Sequence, residues 1–257
     1  MNDAAATPLS TGQMQDFERD GFLVVRGMYS SHETGELSRW IEEFAARAPE
    51  KGKQMVYFED SLKEKGKRIL SRIEKFADYE PNLRRFIGAE KMFSRVAQLL
   101  GGAPALFKEK INFKMPGGGG FTPHQDIQPG WDDYAPYFLS VLVTVDESTV
   151  ANGCLELSAG HHKRGWIGQR MRPLEGEELK GIEFVKYPMA PGDVAFFDCF
   201  VPHQSAPNLT QERRRNLYLT FNRQSDGDFR EKYFADKRKS YPPDNERQAG
   251  KEYVFRV

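Results

Sequence analysis

Between Phe107 and Asn222 the chain is cut into about seven or eight short apolar or alternating segments separated by Gly, Pro and Asn turns. They include Phe107 to Met115, Tyr137 to Asp146, Cys154 to Leu157, Phe184 to Tyr187, Val194 to Phe197 and Leu217 to Asn222. Asn152-Gly153, Ala159-Gly160 and Pro191-Gly192-Asp193 mark turns between them. Strands of this length and spacing predict a β-sandwich or jelly roll. The first third of the chain has a different texture. Met14 and Phe17 share one side of a short helix stopped by Gly21, and Phe22 to Val25 reads as a strand. Ser30 or Ser31 caps a second helix with Leu37, Trp40, Ile41 and Phe44 at helical spacing. One further helix is predicted from Pro81 to Leu100, where Gly101-Gly102 stops it. Met55 to Phe58 is a candidate strand inside the charge-rich Arg47 to Lys67 stretch. The helices are expected to cover one sheet, giving a mainly β fold with flanking N-terminal helices.

A length of 257 residues suits one large domain with a full core, the hydrophobic share being 39% with 19 Phe. Residues 1–10 are expected to be disordered, and residues 225–257, rich in Lys, Arg and Pro, to form a surface tail anchored by Tyr233, Phe234 and Tyr253. With 37 basic and 37 acidic side chains, bulk charge gives no footprint for nucleic acid. Two cysteines, Cys154 and Cys199, are too few for a disulfide scaffold and fit a reducing compartment. The first residues lack a secretory pattern, and no window approaches the ~20 apolar residues of a spanning helix. The expectation is a cytoplasmic protein with no membrane partner.

The chemistry gathers around His124-Gln125-Asp126, which follow the four glycines Gly117 to Gly120. On an extended segment, side chains two apart leave the same face, so His124 and Asp126 would lie side by side. An imidazole and a carboxylate so placed supply two of the three ligands of the facial site that holds non-haem iron(II). His203, in Pro202-His203-Gln204-Ser205, is the best candidate for the third, at the end of the aromatic strand that follows the Pro-Gly-Asp turn. Taken alone, His-x-Asp is a weak pattern, and a surface or turn pair is its ordinary meaning. The glycine run lacks the Gly-Lys-Ser/Thr and helix of a phosphate loop and is expected to be a flexible rim.

Arg214 adds a second element. Arg214, Asn216, Tyr218 and Thr220 share one face of a strand whose other face carries Leu217, Leu219 and Phe221. With the apolar face on the helices, Arg214 points into the barrel, where a guanidinium is costly without an anion and its donor fork suits a carboxylate. A slip of one residue would exchange its role with Arg213 or Arg215. Lys108, Lys110, Asn112 and Lys114 likewise share a face, opposite Phe107, Ile111, Phe113 and Met115. That face is either solvated or lines the cavity; in the second case its ammonium groups need anionic company. Trp131, Asp132, Asp133, Tyr134 and Tyr137 are either a substrate wall or core aromatics and their neighbours.

The string from Lys108 through Asp126, Asn152 through His162, the Pro-Gly-Asp turn, the His203 to Arg214 segment and the Gln13 to Phe22 opening together resemble the phytanoyl-CoA dioxygenase family. The resemblance covers nearly the whole chain; the combination is specific although each piece is not. It implies an iron(II) and 2-oxoglutarate dependent oxygenase with a double-stranded β-helix, using O2. By that likeness His124, Asp126 and His203 bind iron and act in catalysis, and Arg214 binds the distal carboxylate of 2-oxoglutarate beside Ser205. Lys108, Asn112 and Gln125 are counted with the cosubstrate set, and Lys110, Lys114, Trp131 and Asp132 with the substrate. His161 departs from the Gly-Ser-His turn common in the family, which leaves His162 a structural role. Related halogenases lack the carboxylate ligand, so Asp126 points to hydroxylation. Within the family, the phrasing of Phe107 to Gly118 and of Asp236 to Asp244 most resembles bacterial enzymes that hydroxylate 2-aminoethylphosphonate next to phosphorus. That substrate suits a lysine face, with Asp132 or Asp133 for its amine. Another small metabolite (an amino acid, amine or acyl compound) and a zinc or manganese cupin are the alternatives. Oligomeric state is open.

Overall fold

In the computed structural model, which describes residues 7–253, the strands form two antiparallel sheets. Strands are β1 (Phe22–Val25), β2 (Met55–Asp60), β3 (Arg68–Glu74), β4 (Pro104–Lys114), β5 (Phe121–His124), β6 (Leu139–Thr144), β7 (Leu155–Leu157), β8 (Val185–Tyr187), β9 (Val194–Asp198), β10 (His203–Ser205) and β11 (Arg214–Arg223). The large sheet runs β1-β9-β6-β11-β4-β3-β2 and the small one β5-β10-β7-β8. This is the jelly-roll, double-stranded β-helix core predicted above.

Helices α1 (Thr11–Asp20), α2 (Ser31–Ala45), α3 (Pro81–Ile87) and α4 (Glu90–Leu100) contribute their buried stripes to one apolar layer on the large sheet. Leu37, Ile41, Phe86 and Val96 meet Ile111, Val141, Leu217 and Leu219 there, all fully buried. Truncating one such leucine to alanine removes about 2–5 kcal/mol of stability. Ser30 caps α2 in a capping box with Glu33, and Gly21 ends α1 in the left-handed conformation at φ 83°. A second cluster fills the space between the sheets with Leu142, Leu155, Leu157 and Phe197.

Several expectations need correcting. The stretch 81–100 is two helices, because the chain leaves helical geometry at Gly88 and is extended at Ala89 before α4 begins. Phe107 does not share the Ile111 face: the β4–β11 register shifts beside Thr220, and Phe107 packs instead with Trp131, Phe138 and Tyr233. Of residues 1–10, residues 1–6 lie outside the described chain, whereas Leu9 is buried and Ser10 caps α1. Within the expected tail, helix α5 (Arg230–Ser240) buries Tyr233 and Phe234 against the interior. The glycine run is closely packed: a Cβ on Gly120 would stand 2.5 Å from the Ser205 carbonyl oxygen, and the Gly117 N–H donates to the Asn208 carbonyl at 2.7 Å. Backbone proximity accounts for those glycines without any need for a flexible rim. Among the described residues, no helix is long and apolar enough to cross a membrane.

Candidate active site

His124 and His203 are direct partners across β5 and β10, with ring centroids 4.1 Å apart. Each ring is oriented by its own strand. His124 Nδ1 lies 2.7 Å from the Thr122 carbonyl oxygen and His203 Nδ1 lies 3.0 Å from that of Val201. A carbonyl can only accept, so each Nδ1 carries the proton and each Nε2 presents a lone pair. Asp126 sits in the turn just beyond β5 and not on the strand, yet its Oδ1 is 3.8 Å from His203 Nε2. One ligand atom from each of the three residues lies within 4.8 Å of the others. The far oxygen, Oδ2, accepts a short hydrogen bond from the Ser140 hydroxyl on β6, which fixes the carboxylate's rotation.

Burial, then the neighbouring His203, pushes His124 toward the neutral form that a metal ligand needs, and burial does the same to His203. Burial alone would raise Asp126, but His203, Lys110, His124 and the Ser140 hydroxyl hold it below the usual carboxylate range. Two neutral imidazoles and one carboxylate gathered this closely, with His124 lining a cavity, fit a divalent metal with open positions, iron(II) above all.

Register across β11 separates the three arginines. Arg215 faces the helices, where Nε and Nη2 clamp the Asp146 carboxylate at 2.8 and 2.7 Å and Nη2 donates to the Ser38 hydroxyl at 2.7 Å. Arg213 stays half-exposed, paired with Glu42. Arg214 turns inward and is 3% exposed. Its Nη1 is 2.7 Å from the Asn216 side-chain oxygen, with that amide turned to satisfy both of its ends, and its Nε has no hydrogen-bond partner. Among the described residues no carboxylate lies within ion-pair distance of it, so this is a buried guanidinium without a carboxylate partner.

Arg214 has Lys114 as its direct partner on β4. Lys114 Nζ donates to the Ser205 hydroxyl at 2.8 Å and to the Ala206 carbonyl at 2.6 Å. Burial, reinforced by Arg214, brings this lysine down to about 6. Arg214, Lys114 and Ser205 therefore make one group. The pairs that follow are Asn216–Asn112, Tyr218–Lys110 and Thr220–Lys108. Six residues of strand at ~3.3 Å each separate the backbones of Arg214 and Thr220 by about 20 Å. Thr220 also pairs with Ser140, the hydroxyl that orients Asp126. Lys108 thus stands on the rung of the metal's carboxylate ligand and Lys114 at the opposite end.

Lys110 Nζ lies between the rings of Phe121 and Tyr218, 5.6 and 4.9 Å from their centroids, and burial followed by Lys108 lowers it to about 7. Lys108 Nζ lies over Trp131 and Tyr233 at 5.1 and 5.6 Å. Lys108, Asn112 and Lys114 are buried and Lys110 partly so, so the lysine face is not a solvated one. Asn112 shares with His124 and Lys114 a cavity of about 340 Å³, and its Oδ1 has no hydrogen-bond partner.

Other expected residues are not brought to the metal. The Gln125 amide donates to the Gly165 and Phe200 carbonyls at 2.8 and 2.6 Å and accepts from the Ile167 N–H at 2.7 Å, so its donors are consumed in holding two loops. Asp132 is a surface residue, its side chain 39% exposed and paired with Arg170, which also binds Asp133. Trp131 is buried in the aromatic cluster with Phe107 and Phe138. Sequence reasoning missed Ser140, Glu74, Arg72 and Lys237. Ser140 had a readable signal, being a hydroxyl inside the apolar run Phe138 to Val145; the other three lie in charge-rich stretches where nothing marks burial.

Residues 17–216 match the family described as phytanoyl-CoA dioxygenase (PhyH). The 2-aminoethylphosphonate dioxygenase of uncultured bacterium HF130_AEPn_1 is 35% identical over 243 residues, covering 94% of this chain and 92% of that protein. The methylphosphonate hydroxylase of Gimesia maris is 35% identical over 236 residues, covering 91% and 89%. Among solved structures, EctD from S. alaskensis with 2-oxoglutarate and 5-hydroxyectoine superposes with a TM-score of 0.73 at 26% identity, covering 88% of this chain and 79% of that one. The same enzyme with bound Fe gives a TM-score of 0.71 at 25% identity, covering 89% and 82%.

Proposed function

We propose that this chain, which belongs to the phytanoyl-CoA dioxygenase family, hydroxylates a small phosphonate at the carbon next to phosphorus. It is a 2-oxoglutarate-dependent dioxygenase that works with iron(II) and O2. When bound, iron and 2-oxoglutarate supply the oxidising power: one oxygen atom of O2 goes into succinate as carbon dioxide leaves, and the other into a substrate C–H bond.

The chain's own residues hold and shield this chemistry. The Nε2 atoms of His124 and His203 and Oδ1 of Asp126 are the metal donors, with Ser140 keeping the carboxylate turned toward them. Arg214 takes the distal carboxylate of 2-oxoglutarate through its unsatisfied donors, beside Ser205. Lys114 joins that end through its bond to Ser205, so its role moves from substrate to cosubstrate. Lys108 makes the reverse move, because a five-carbon diacid is far too short to span the ~20 Å from Arg214. A zinc or manganese cupin without 2-oxoglutarate would have no use for a buried, unpaired Arg214.

The observation that carries the phosphonate reading is the buried cationic face beside Asp126. Lys108 and Lys110 are held against aromatic rings, and neither has an ion-pair partner within 4 Å among the described residues. A phosphonate offers the charge and the acceptor oxygens such groups require. The two relatives described above, each 35% identical, are both named for phosphonates. Asp132 and Asp133 lend no support to an amine on the substrate, since Arg170 already occupies them. The test is succinate formation with a substrate panel. Methylphosphonate or 2-aminoethylphosphonate should stimulate turnover, while amino acids, ectoine and acyl-CoA thioesters should not; a panel in which no phosphonate stimulates turnover refutes the reading.

A further inference from the structure

The cavity that reaches His124 measures about 340 Å³ and is lined by Asn112 and Lys114 as well, so 2-oxoglutarate and substrate must share it. That is near the lower end of the range of ordinary ligand pockets, about 300–1,000 Å³. Beneath helix α5 lies a second cavity of about 430 Å³, lined by Lys108, Tyr134, Tyr233 and Ser240 among others. Met171 and Tyr241 line both cavities and so stand between them. Opening that partition would more than double the space beside the metal donors.

Tyr241 is the fixed half of the partition. Its carbonyl accepts from the Tyr57 hydroxyl at 3.0 Å, and the two rings stack with centroids 5.5 Å apart. Glu74 on β3 ties α5, the helix that Tyr241 ends, to the large sheet. Its buried carboxylate accepts from Arg72 Nε at 2.9 Å and from Lys237 Nζ at 2.8 and 2.6 Å. This charge cluster holds the end of α5, and with it Tyr241, in place.

Met171 comes from a loop laid against the turn that carries the metal ligands. The Leu174 N–H donates at 2.7 Å to the carbonyl of Pro123, just before His124. The Met171 N–H donates at 2.9 Å to the carbonyl of Gln128, two residues past Asp126. The fully buried Gln128 amide also donates to the Gln169 and Arg172 carbonyls, both at 3.0 Å, and so grips the loop on either side of Met171. Held this way, Met171 has a φ of 63°, in the left-handed region that a residue with a side chain adopts at a cost. Glycine would sit there without strain, so the backbone alone does not account for methionine. The side chain reaches Gly130 on the wall of the second cavity, where a Cβ would stand 2.8 Å from the Met171 methyl.

We propose that Met171 sets the upper size of the substrate, its side chain closing the space beneath α5 to any group carried beyond the reacting carbon. The inference rests on the phosphonate reading and deepens it: the substrates are phosphonates with a short substituent, and long-chain phosphonates are turned away by volume, not by charge.

The test is phosphonate-stimulated succinate formation with methyl-, ethyl-, propyl- and hexylphosphonate, one headgroup on chains of increasing volume. Wild type should lose about tenfold or more in kcat/KM once the chain outgrows the cavity. Met171→Gly, which also removes the left-handed strain, should raise the hexyl-to-methyl ratio of kcat/KM by about tenfold or more. Met171→Leu, of similar volume, should keep the wild-type ratio. Thermal unfolding checks that each variant folds, and Met171→Ala is read in place of a glycine variant that does not. A wild type that turns over hexylphosphonate as well as methylphosphonate, a ratio unmoved in Met171→Gly, or an equal rise in Met171→Leu each overturn the assignment. If no phosphonate stimulates wild type, the functional reading falls along with it; stimulation of wild type by methylphosphonate with an unmoved ratio in Met171→Gly removes this inference alone.

Discussion

Replacing Arg214 by methionine should move stability and cosubstrate binding in opposite directions. The guanidinium is buried, its Nε lacks a hydrogen-bond partner, and the side-chain oxygens beside it, the Asn216 amide and the Tyr218 hydroxyl, are neutral acceptors. Without ligand, burial disfavours its charged form, so an apolar side chain of similar length should leave the melting temperature unchanged or raise it. With 2-oxoglutarate bound, the same substitution leaves a buried carboxylate without its partner, a loss of about 2–5 kcal/mol. At 1.4 kcal/mol per tenfold, that is a Kd weaker by about thirtyfold to a few thousandfold. Arg215→Met is the control. Its residue is 2% exposed and clamps Asp146, so removing it should lower stability by about 3–5 kcal/mol and leave 2-oxoglutarate affinity of the folded fraction intact. Thermal unfolding and an anaerobic 2-oxoglutarate titration read both effects. A Kd in Arg214→Met within threefold of wild type would refute the reasoning.

Ser140→Ala should weaken iron(II) binding by about 10–100-fold, because it frees Asp126 Oδ2 to rotate; competition with a chelator measures it, and an unchanged affinity counts against the role given to Ser140. Asp193 receives the Gly27 and Ala190 N–H groups at 2.8 and 2.9 Å and pairs with Arg26, interactions that outweigh burial and lower its pKa. A depressed carboxylate contributes stability that is present above its unfolded pKa and lost as pH falls through its folded value. Asp193→Asn should therefore lose about 1–3 kcal/mol at neutral pH, with the gap from wild type closing below roughly pH 4 in denaturant titrations; a gap independent of pH contradicts this. Asp132→Asn should leave the KM of any stimulating phosphonate within twofold, since that carboxylate is on the surface with Arg170; a large rise would return it to the site.

Much of this site could be read from alternation alone. In β11 the run Leu217, Leu219, Phe221 must face the helices, and parity then sends Arg214 inward and Arg215 to the α2 side, as found. Parity also puts Lys108, Lys110, Asn112 and Lys114 on one face, but it leaves open whether that face is solvated or lines the cavity and says nothing about position along the barrel. Which lysine stands opposite Arg214 depends on the pairing of β4 with β11, a long-range register that local sequence does not carry. Helix α5 escaped notice because only Tyr233 and Phe234 of its residues are buried, leaving no apolar stripe to see. β3 escaped for a related reason: Ile69, Leu70 and Ile73 fall on both parities, mixed with Arg72 and Glu74. With those two elements unseen, the charge cluster around Glu74 could not be assembled. Asp126 shows the reverse case, since its pairing with His124 was anticipated from strand geometry although a turn and Ser140 produce it.

The most direct test of the whole scheme is an anaerobic titration of iron(II) and 2-oxoglutarate into the purified protein, followed by visible absorption. His124, Asp126 and His203 holding one ferrous ion with 2-oxoglutarate chelated to it should produce a broad visible charge-transfer band. The band should require both additions, be lost in His203→Ala, and need far more 2-oxoglutarate in Arg214→Met. No band in wild type at saturating concentrations of both, or an undiminished band in His203→Ala, would contradict the central claim.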